Sequence, residues 1–529
     1  MTYMKRINLY PFFLAVWPVL ALYATNSSQV SAWVIIRPFI LSLVFSTCFY
    51  AACLRVTHNS HKAALLTGFL TLLFFSYGHF YQFLSISTIL GHNFAHHRVL
   101  IPIYFVFLIM GIWWISAKIK DYALYTHIMI GISIALVASS VVQIIVSFTK
   151  GTNASASLVE RTPADLGLKP NPEIFQIASP AGRDKPDIYY IILDMYTRSD
   201  ALKEDFLYDD QPFLEELQHL GFYIAACSRS NYAETRLSLA SSLNMNYLEA
   251  LGEKFTPDNP DKSPLVYLIR HSQVMKQYQA IGYRTIAFQT GFPFSELTNA
   301  DLYIAPPSEP LLLREIQPFE DLFLQSTALR IAAEVGPQPV KNSIDWITFP
   351  YYDHARRLQY NLEKLAEIPE IPGPKFVFAH LISPHFPFIF TPDGSFLQDT
   401  RYYNQPGDHP AEEFFVDGYR DQVAFINNRI LAVIKEILAN STTPPIIIIQ
   451  GDHGVRDLNR LKILNAYLFP GGSPQLYPRI SPVNTFRVID NVVFGANYPL
   501  LEDISRQSDY VYPYRFETMP EDSSQCKSQ

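Results

Sequence analysis

The chain has 529 residues, 49% of them hydrophobic, and a formal net charge of −7. Its charges are unevenly placed: residues 1–150 hold nine Lys or Arg and one acid, Asp121, while the remainder holds 47 acids against 32 Lys or Arg. That acidic excess, with no basic tract or RNA-binding aromatic motif, excludes nucleic acid as the expected partner, and the segregation predicts two structural units in different solvents.

Five apolar stretches come first, at 8–24, 38–54, 63–84, 99–117 and 128–148. A helix needs about 20 mostly apolar residues to cross a bilayer, because unpaired backbone amides there are costly. Five such runs in 150 residues leave almost no polar face for water, so they predict a five-helix transmembrane domain over 1–150. The first run lacks a small-residue cleavage site and is followed by four more, which reads as a retained span rather than a signal peptide. Lys5, Arg6, Arg55, Lys62, Lys118 and Lys120 fall on one side of the membrane, and Arg37, Arg98 and Lys150 on the other. Basic loops stay in the cytoplasm, so the N-terminus is expected there and everything beyond Lys150 is expected outside it. One outer loop carries His92, His96, His97 and Arg98. Contact with lipid headgroups is the expectation for them, and a metal or substrate role the alternative.

Residues 151–186 are rich in Pro, Ala, Ser and Thr and read as a juxtamembrane linker; 187–504 read as a catalytic domain and 505–529 as a polar tail. Four cysteines are too few for a disulfide framework: Cys48 and Cys53 lie in a predicted membrane helix, and whether Cys227 and Cys526 pair is left open. Short β-branched and aromatic runs occur at 188–193, 222–226, 284–289, 376–382 and 446–450, separated by segments of helical spacing. In 417–438, Val423, Ile426, Ile430, Val433 and Ile437 recur at three and four residues and predict one buried helical stripe. Apolar strands alternating with amphipathic helices predict an α/β domain, a mostly parallel sheet covered by helices on both faces.

Ligands of such sheets bind beyond the carboxyl ends of the strands. Three ends carry chemistry: the first run ends in Asp194, the fourth in Ser383-Pro384-His385, and the fifth in Gly451-Asp452-His453-Gly454. A carboxylate, a histidine and an Asp-His pair are a plausible divalent-metal set with oxygen and nitrogen ligands. Taken singly, an Asp after a strand is more often a helix cap and a His beside Pro a packed ring. The Gly-Asp-His-Gly element is more specific, because its glycines allow a sharp turn with two metal-competent side chains at a strand terminus.

In order and context these residues resemble the alkaline phosphatase superfamily over 187–500, in its branch of sulfatases, lipoteichoic acid synthases and phosphoethanolamine transferases. The resemblance lies in a strand followed by Asp194, a hydroxyl at a helix start, the His380-Leu-Ile-Ser-Pro-His385 element, and a late strand ending in Asp452-His453-Gly454. The segment Asn231-Tyr-Ala-Glu-Thr-Arg-Leu-Ser resembles the nucleophile segment of the membrane-bound transferases, with Thr235 followed by Ser238. A threonine there faces free amides and the positive end of a helix, which suits an anionic substrate.

The resemblance implies Thr235 as nucleophile and Asp194, Thr235, Asp452 and His453 around one divalent metal ion, Mn, Zn, Mg or Ca. It implies His385 at the transferred group, with His380 and Arg236 as further substrate contacts. No histidine follows His453, where phosphoethanolamine transferases carry another, and lipoteichoic acid synthases use Glu in place of Asp194. Their five-span anchor matches this layout. The expected activity is transfer of a phosphoryl-linked headgroup, such as phosphoglycerol, from a lipid to an envelope glycan or lipid. The alternatives are a phosphodiesterase or sulfatase on the same site, and a catalytically silent envelope protein. Sulfatases of the superfamily make a formylglycine from the Cys or Ser that opens C/S-x-P-x-R. Cys227 is followed by Ser228, Arg229 and Ser230 and lacks that proline, and a threonine cannot become the aldehyde.

Overall fold

The computed structural model describes residues 8–27, 30, 32–86, 88–89, 92–93, 96–149, 162–169, 171, 177, 185–307, 318–331, 350–397, 399–402, 410, 412–456, 459–472 and 475–520. They form two compact units, one of residues 1–160 with 308–352 and one of 161–307 with 353–529.

The first unit contains five long helices: α1 (Tyr10–Asn26), α2 (Ile36–Thr57), α3 (Ser60–Ile86), α4 (His97–Ala117) and α5 (Tyr122–Thr149). Four spans, 21 to 26 residues long, are long and apolar enough to cross a membrane. At 1.5 Å per residue they reach about 32–39 Å, against a hydrocarbon core of about 30 Å. The first expected span forms as α1, whose 17 residues reach only about 26 Å. Phe105, Ile109, Met110 and Trp113 on α4 are more than half exposed, as a face turned to lipid would be.

The segment 308–352, assigned to the catalytic domain on sequence, groups with these helices. Its helix Pro318–Gln325 places Phe323 against Phe75, and Glu320 accepts from Arg37 Nε at 2.8 Å in a buried pair. Such a pair stands only because each charge has its partner; removing one strands the other. Of the loop histidines, His97 is buried at the start of α4. Its Nδ1 lies 2.7 Å from Tyr77 Oη, and its ring stacks on Tyr81. His96 is exposed, and the side chain of His92 lies outside the described residues.

The second unit is built on seven strands: β1 (Ile188–Leu193), β2 (Tyr223–Ile224), β3 (Arg284–Phe288), β4 (Leu302–Ile304), β5 (Lys375–Leu381), β6 (Ile446–Gly451) and β7 (Asn465–Leu468). Their order is β2-β7-β6-β1-β5-β3-β4. The five from β6 to β4 run parallel, and β7 and β2 close one edge antiparallel. The sheet is therefore mixed, with a parallel centre. The strands β4 and β7 carry no long apolar run and were not legible as strands. All six residues of β1, which are Ile, Tyr and Leu, are buried, as its central position requires.

Helices α6 (Thr235–Ser242), α7 (Pro350–Glu367), α8 (Glu412–Asn440) and α9 (Pro482–Ile489) belong to this unit, α7 from Asp353 onward. The stripe Val423, Ile426, Ile430, Val433 and Ile437 of α8 is buried throughout. Residues 506–507 pair with 517–518, so the tail expected from 505 is ordered as far as residue 520. Cys227 is disulfide-bonded, and Cys526 lies outside the described residues.

Register places the functional strand ends level. Leu193, the last residue of β1, pairs with Leu381 of β5 on one side and Gly451 of β6 on the other. Asp194, the 382–385 segment and Asp452 therefore leave the sheet side by side.

Away from these ends, Asp490 at the close of α9 is buried, accepts from Tyr278 Oη at 2.9 Å, and leaves its other oxygen without a hydrogen bond. Burial raises its carboxyl to about 8 against the Tyr278 hydrogen bond, from 3.8 when free. The folded state thus binds a proton that the unfolded state has released, so this residue's contribution is intact below pH ~4 and is lost as pH rises toward 8. Asp490→Asn, which mimics the protonated form, should raise Tm relative to the parent at pH 8 and leave it nearly unchanged at pH 4.5. Thermal scans of the full chain in detergent check this; an equal shift at both pH values would contradict it.

Candidate metal centre and nucleophile

Asp194 follows β1 directly, and the next residue, Met195, has a left-handed backbone (φ 64°), which is costly for a side-chain-bearing residue and common at functional sites. That turn lets Met195 N donate to Asp452 Oδ1 at 3.0 Å, tying the ends of β1 and β6 together. The two glycines around the Asp-His pair serve close approach rather than a left-handed turn. A Cβ on Gly451 would meet Tyr196 O at 2.3 Å, and one on Gly454 would meet Thr197 Oγ1 at 2.6 Å.

One ligand atom each from Asp194, Asp452 and His453 lies within 4.8 Å of the other two, and all three side chains are buried. His453 Nδ1 donates to Gly454 O at 2.7 Å, so its proton sits there and Nε2 presents a lone pair. Thr235, the first residue of α6, places Oγ1 3.2 Å from that Nε2. Asp194 Oδ1 and Asp452 Oδ2 are buried without a hydrogen-bond partner. Two carboxylate oxygens left unpaired in this way, beside an imidazole lone pair, are the donor set of a divalent cation, and the residues fit one.

Burial alone would raise the Asp194 carboxyl; neighbouring His385 and His380 outweigh it and hold the group below the usual carboxylate range. Burial pushes the His453 imidazole down, against the pull of Asp452, which keeps its ring neutral and able to ligate.

The remaining predicted residues fall into place around this core. His380, on β5, is fully buried: Nε2 lies 3.1 Å from Asp194 Oδ2 and Nδ1 3.2 Å from Ser295 Oγ. Both ring nitrogens are thus engaged inside the protein. His385 donates its backbone N–H to Asp194 O at 3.0 Å, and its half-buried ring packs against Phe292 and Phe386. Arg236 lies over the Phe294 ring at 4.8 Å, with Nε 3.8 Å from Glu234 Oε1.

Sequence reasoning missed several supports. Ser295 orients His380, and Ser230 Oγ donates to Asp452 O at 2.5 Å while lying 3.2 Å from Ser238 Oγ. His354 of α7 is buried, and burial with Arg357 lowers its imidazole to about 3, so it is neutral. Arg357 ties the same helix to Thr290 O at 3.1 Å. Single Ser and His residues outside any motif carry no signal that separates these roles from ordinary packing. Cys227, being disulfide-bonded, is not a free thiol for conversion to formylglycine.

No protein-family model matches the chain, and neither does any curated protein sequence. Among solved structures it is similar to the C-terminal periplasmic domain of EptC from Escherichia coli in complex with Zn. The identity is 12%, covering 66% of this chain and 97% of that one, with a TM-score of 0.41. It is also similar to the integral membrane lipooligosaccharide phosphoethanolamine transferase A from Neisseria meningitidis, at 11% identity over 92% of this chain and 95% of that one, TM-score 0.37. A third is a protein in the alkaline phosphatase superfamily from Vibrio parahaemolyticus, at 10% identity over 68% and 80% of the two chains, TM-score 0.37.

Alanine at Asp194, Asp452 or His453 is expected to abolish binding of added Zn or Mn by the folded protein. His380→Ala, which frees Asp194 to turn, is expected to weaken it on the order of 10–100-fold. Equilibrium dialysis with elemental analysis reads both. Unchanged binding in all four folded variants would remove the site.

Proposed function

We propose that the chain is a membrane-anchored, metal-dependent transferase of the alkaline phosphatase type. In this reading it moves a phosphoryl-linked headgroup, such as phosphoglycerol, from a lipid to an envelope glycan or lipid by way of Thr235. The observation that carries it is Thr235 Oγ1 at 3.2 Å from His453 Nε2, beside two buried carboxylates that each keep one oxygen without a hydrogen-bond partner. Asp194, Asp452, His453 and Thr235 would hold one divalent cation. Bound there, it supplies the positive charge that makes the threonine hydroxyl acidic and balances the phosphoryl oxygens.

The protein's own groups do the rest. The start of α6 presents Thr235 with backbone N–H groups and the positive end of the helix toward an anion. Attack by Oγ1 forms an O–P bond and breaks the bond to the lipid alcohol, which leaves with the proton Thr235 gives up. An acceptor hydroxyl then attacks the same phosphorus, its proton returning to Thr235. In this reading His385, held by its backbone to Asp194 and only half buried, carries that proton. His380, engaged by Asp194 and Ser295, serves to position the carboxylate rather than to touch substrate.

The proposed topology has α1 as a fifth span, the N-terminus in the cytoplasm and the catalytic unit outside. The Lys and Arg distribution supports it, and so does the Cys227 disulfide, since such bonds persist in oxidising compartments.

The test is substrate class. Thr235→Ala should abolish turnover of phosphodiester and lipid-headgroup substrates, with at least a thousandfold loss expected on the scale of removing a nucleophile, while the protein stays folded and metal-bound. Metal-dependent cleavage of an aryl sulfate by the parent protein, without activity on phosphodiesters or lipids, would overturn the reading.

A further inference from the structure

Three residues flanking the nucleophile form a charged cluster that the transfer chemistry does not use. Glu234 and Arg236 stand on either side of Thr235, and Lys262 precedes the helix Ser263–Arg270. Both cations meet one oxygen: Glu234 Oε1 lies 3.8 Å from Arg236 Nε and 3.4 Å from Lys262 Nζ. The side chains of Arg236, Glu234 and Lys262 are 25%, 17% and 18% exposed, so the cluster is largely withdrawn from water yet still open to it. One carboxylate cannot balance two cations, and among the described residues Glu234 is the acid that pairs with each of them.

A third cation adds to the excess, since Arg460 Nε donates to Ala233 O at 2.7 Å in the same segment. Rings pack against both cations: Arg236 sits 4.8 Å from the Phe294 centroid and Lys262, which also donates to Glu234 Oε1 at 3.4 Å, 4.1 Å from that of Tyr510. A guanidinium has five N–H donors. Among the described residues none of those of Arg236 makes a hydrogen bond, and its one polar contact is the 3.8 Å approach to Glu234.

We infer that Arg236 and Lys262, sharing the single carboxylate of Glu234, form a subsite that receives an oxyanion of the substrate other than the phosphoryl group under attack, and that turns away an ammonium group. The inference rests on reading Thr235 as the attacking group. A carboxylate, phosphate or sulfate would take up the unspent donors as charge-assisted hydrogen bonds, in the forked geometry a guanidinium offers. An ammonium would have to displace one of two cations from Glu234 and meet the other at close range, which selects against it. The oxyanion could belong to the donor headgroup or to the acceptor.

Binding measurements on the full chain in detergent separate these sources and do not require turnover. In one arm, dialkyl phosphates that differ only in a terminal carboxylate, methyl or trimethylammonium group probe the donor side. In the other, glucuronate, glucose and glucosamine probe the acceptor side. The carboxylate member of at least one series should bind about tenfold or more tighter than the ammonium member. That preference should vanish in Lys262→Met, persist in Lys262→Arg and sharpen in Glu234→Gln. The arm in which it appears names the source. No preference in either arm, a preference for the ammonium, no binding at all, or a preference indifferent to Lys262→Met and Glu234→Gln would each overturn the inference. Failure of the parent protein to turn over any phosphodiester would instead defeat the transferase reading, leaving these binding ranks to be judged on their own.

Discussion

Two carboxylates, Asp194 and Asp452, are buried at adjacent strand ends with an oxygen each that no hydrogen bond satisfies. Burying a charged group without a partner costs several kcal/mol, and two together add mutual repulsion. The surroundings keep Asp194 charged despite its burial: His385 and His380 beside it hold its carboxyl below the usual carboxylate range. The proton of His453 is fixed on the side away from them by Gly454 O. A site that retains its negative charge and points a lone pair into the same space is built for a cation.

The sheet imposes that arrangement. Because β1 is hydrogen-bonded in parallel to both β5 and β6, and their last residues are in register, side chains 194 and 452 emerge at one level without any loop having to reach. Thr235 comes from elsewhere, at the start of a helix whose other seven residues include six that are buried. Its position is thus fixed by packing. At the strand ends the backbone strain falls on Met195, whose left-handed turn carries the N–H that bridges them.

Much of this was legible in the sequence because the informative residues terminate strands. The apolar runs before Asp194, Ser383 and Gly451 appear as β1, β5 and β6, and Asp194, Asp452, His453 and Thr235 come together. What escaped was whatever lacked periodicity. The edge strand β4 and the strand β7, one in from the other edge, are three and four residues long, and the supports Ser295 and Ser230 are single residues in no motif. The inserted helix Pro318–Gln325 is only eight residues, with acids in its first turn, and gives no hint on sequence that Glu320 is matched by Arg37 some 280 positions earlier. Long-range pairing of that kind leaves no local pattern. His380, for which the resemblance implied a substrate contact, lies with its two ring nitrogens against Asp194 and Ser295, a placement set by the fold and not by any local pattern.

The central claim is that Thr235 becomes covalently attached to the transferred group. Its most direct test is peptide mass spectrometry of the full-length protein after incubation with a lipid extract and added divalent metal. The expected result is a phosphoryl-linked adduct on the peptide bearing Thr235, localised to that residue and absent from Thr235→Ala. Turnover of lipid with no adduct on Thr235 under rapid acid quench, or with an adduct on another residue, would contradict it.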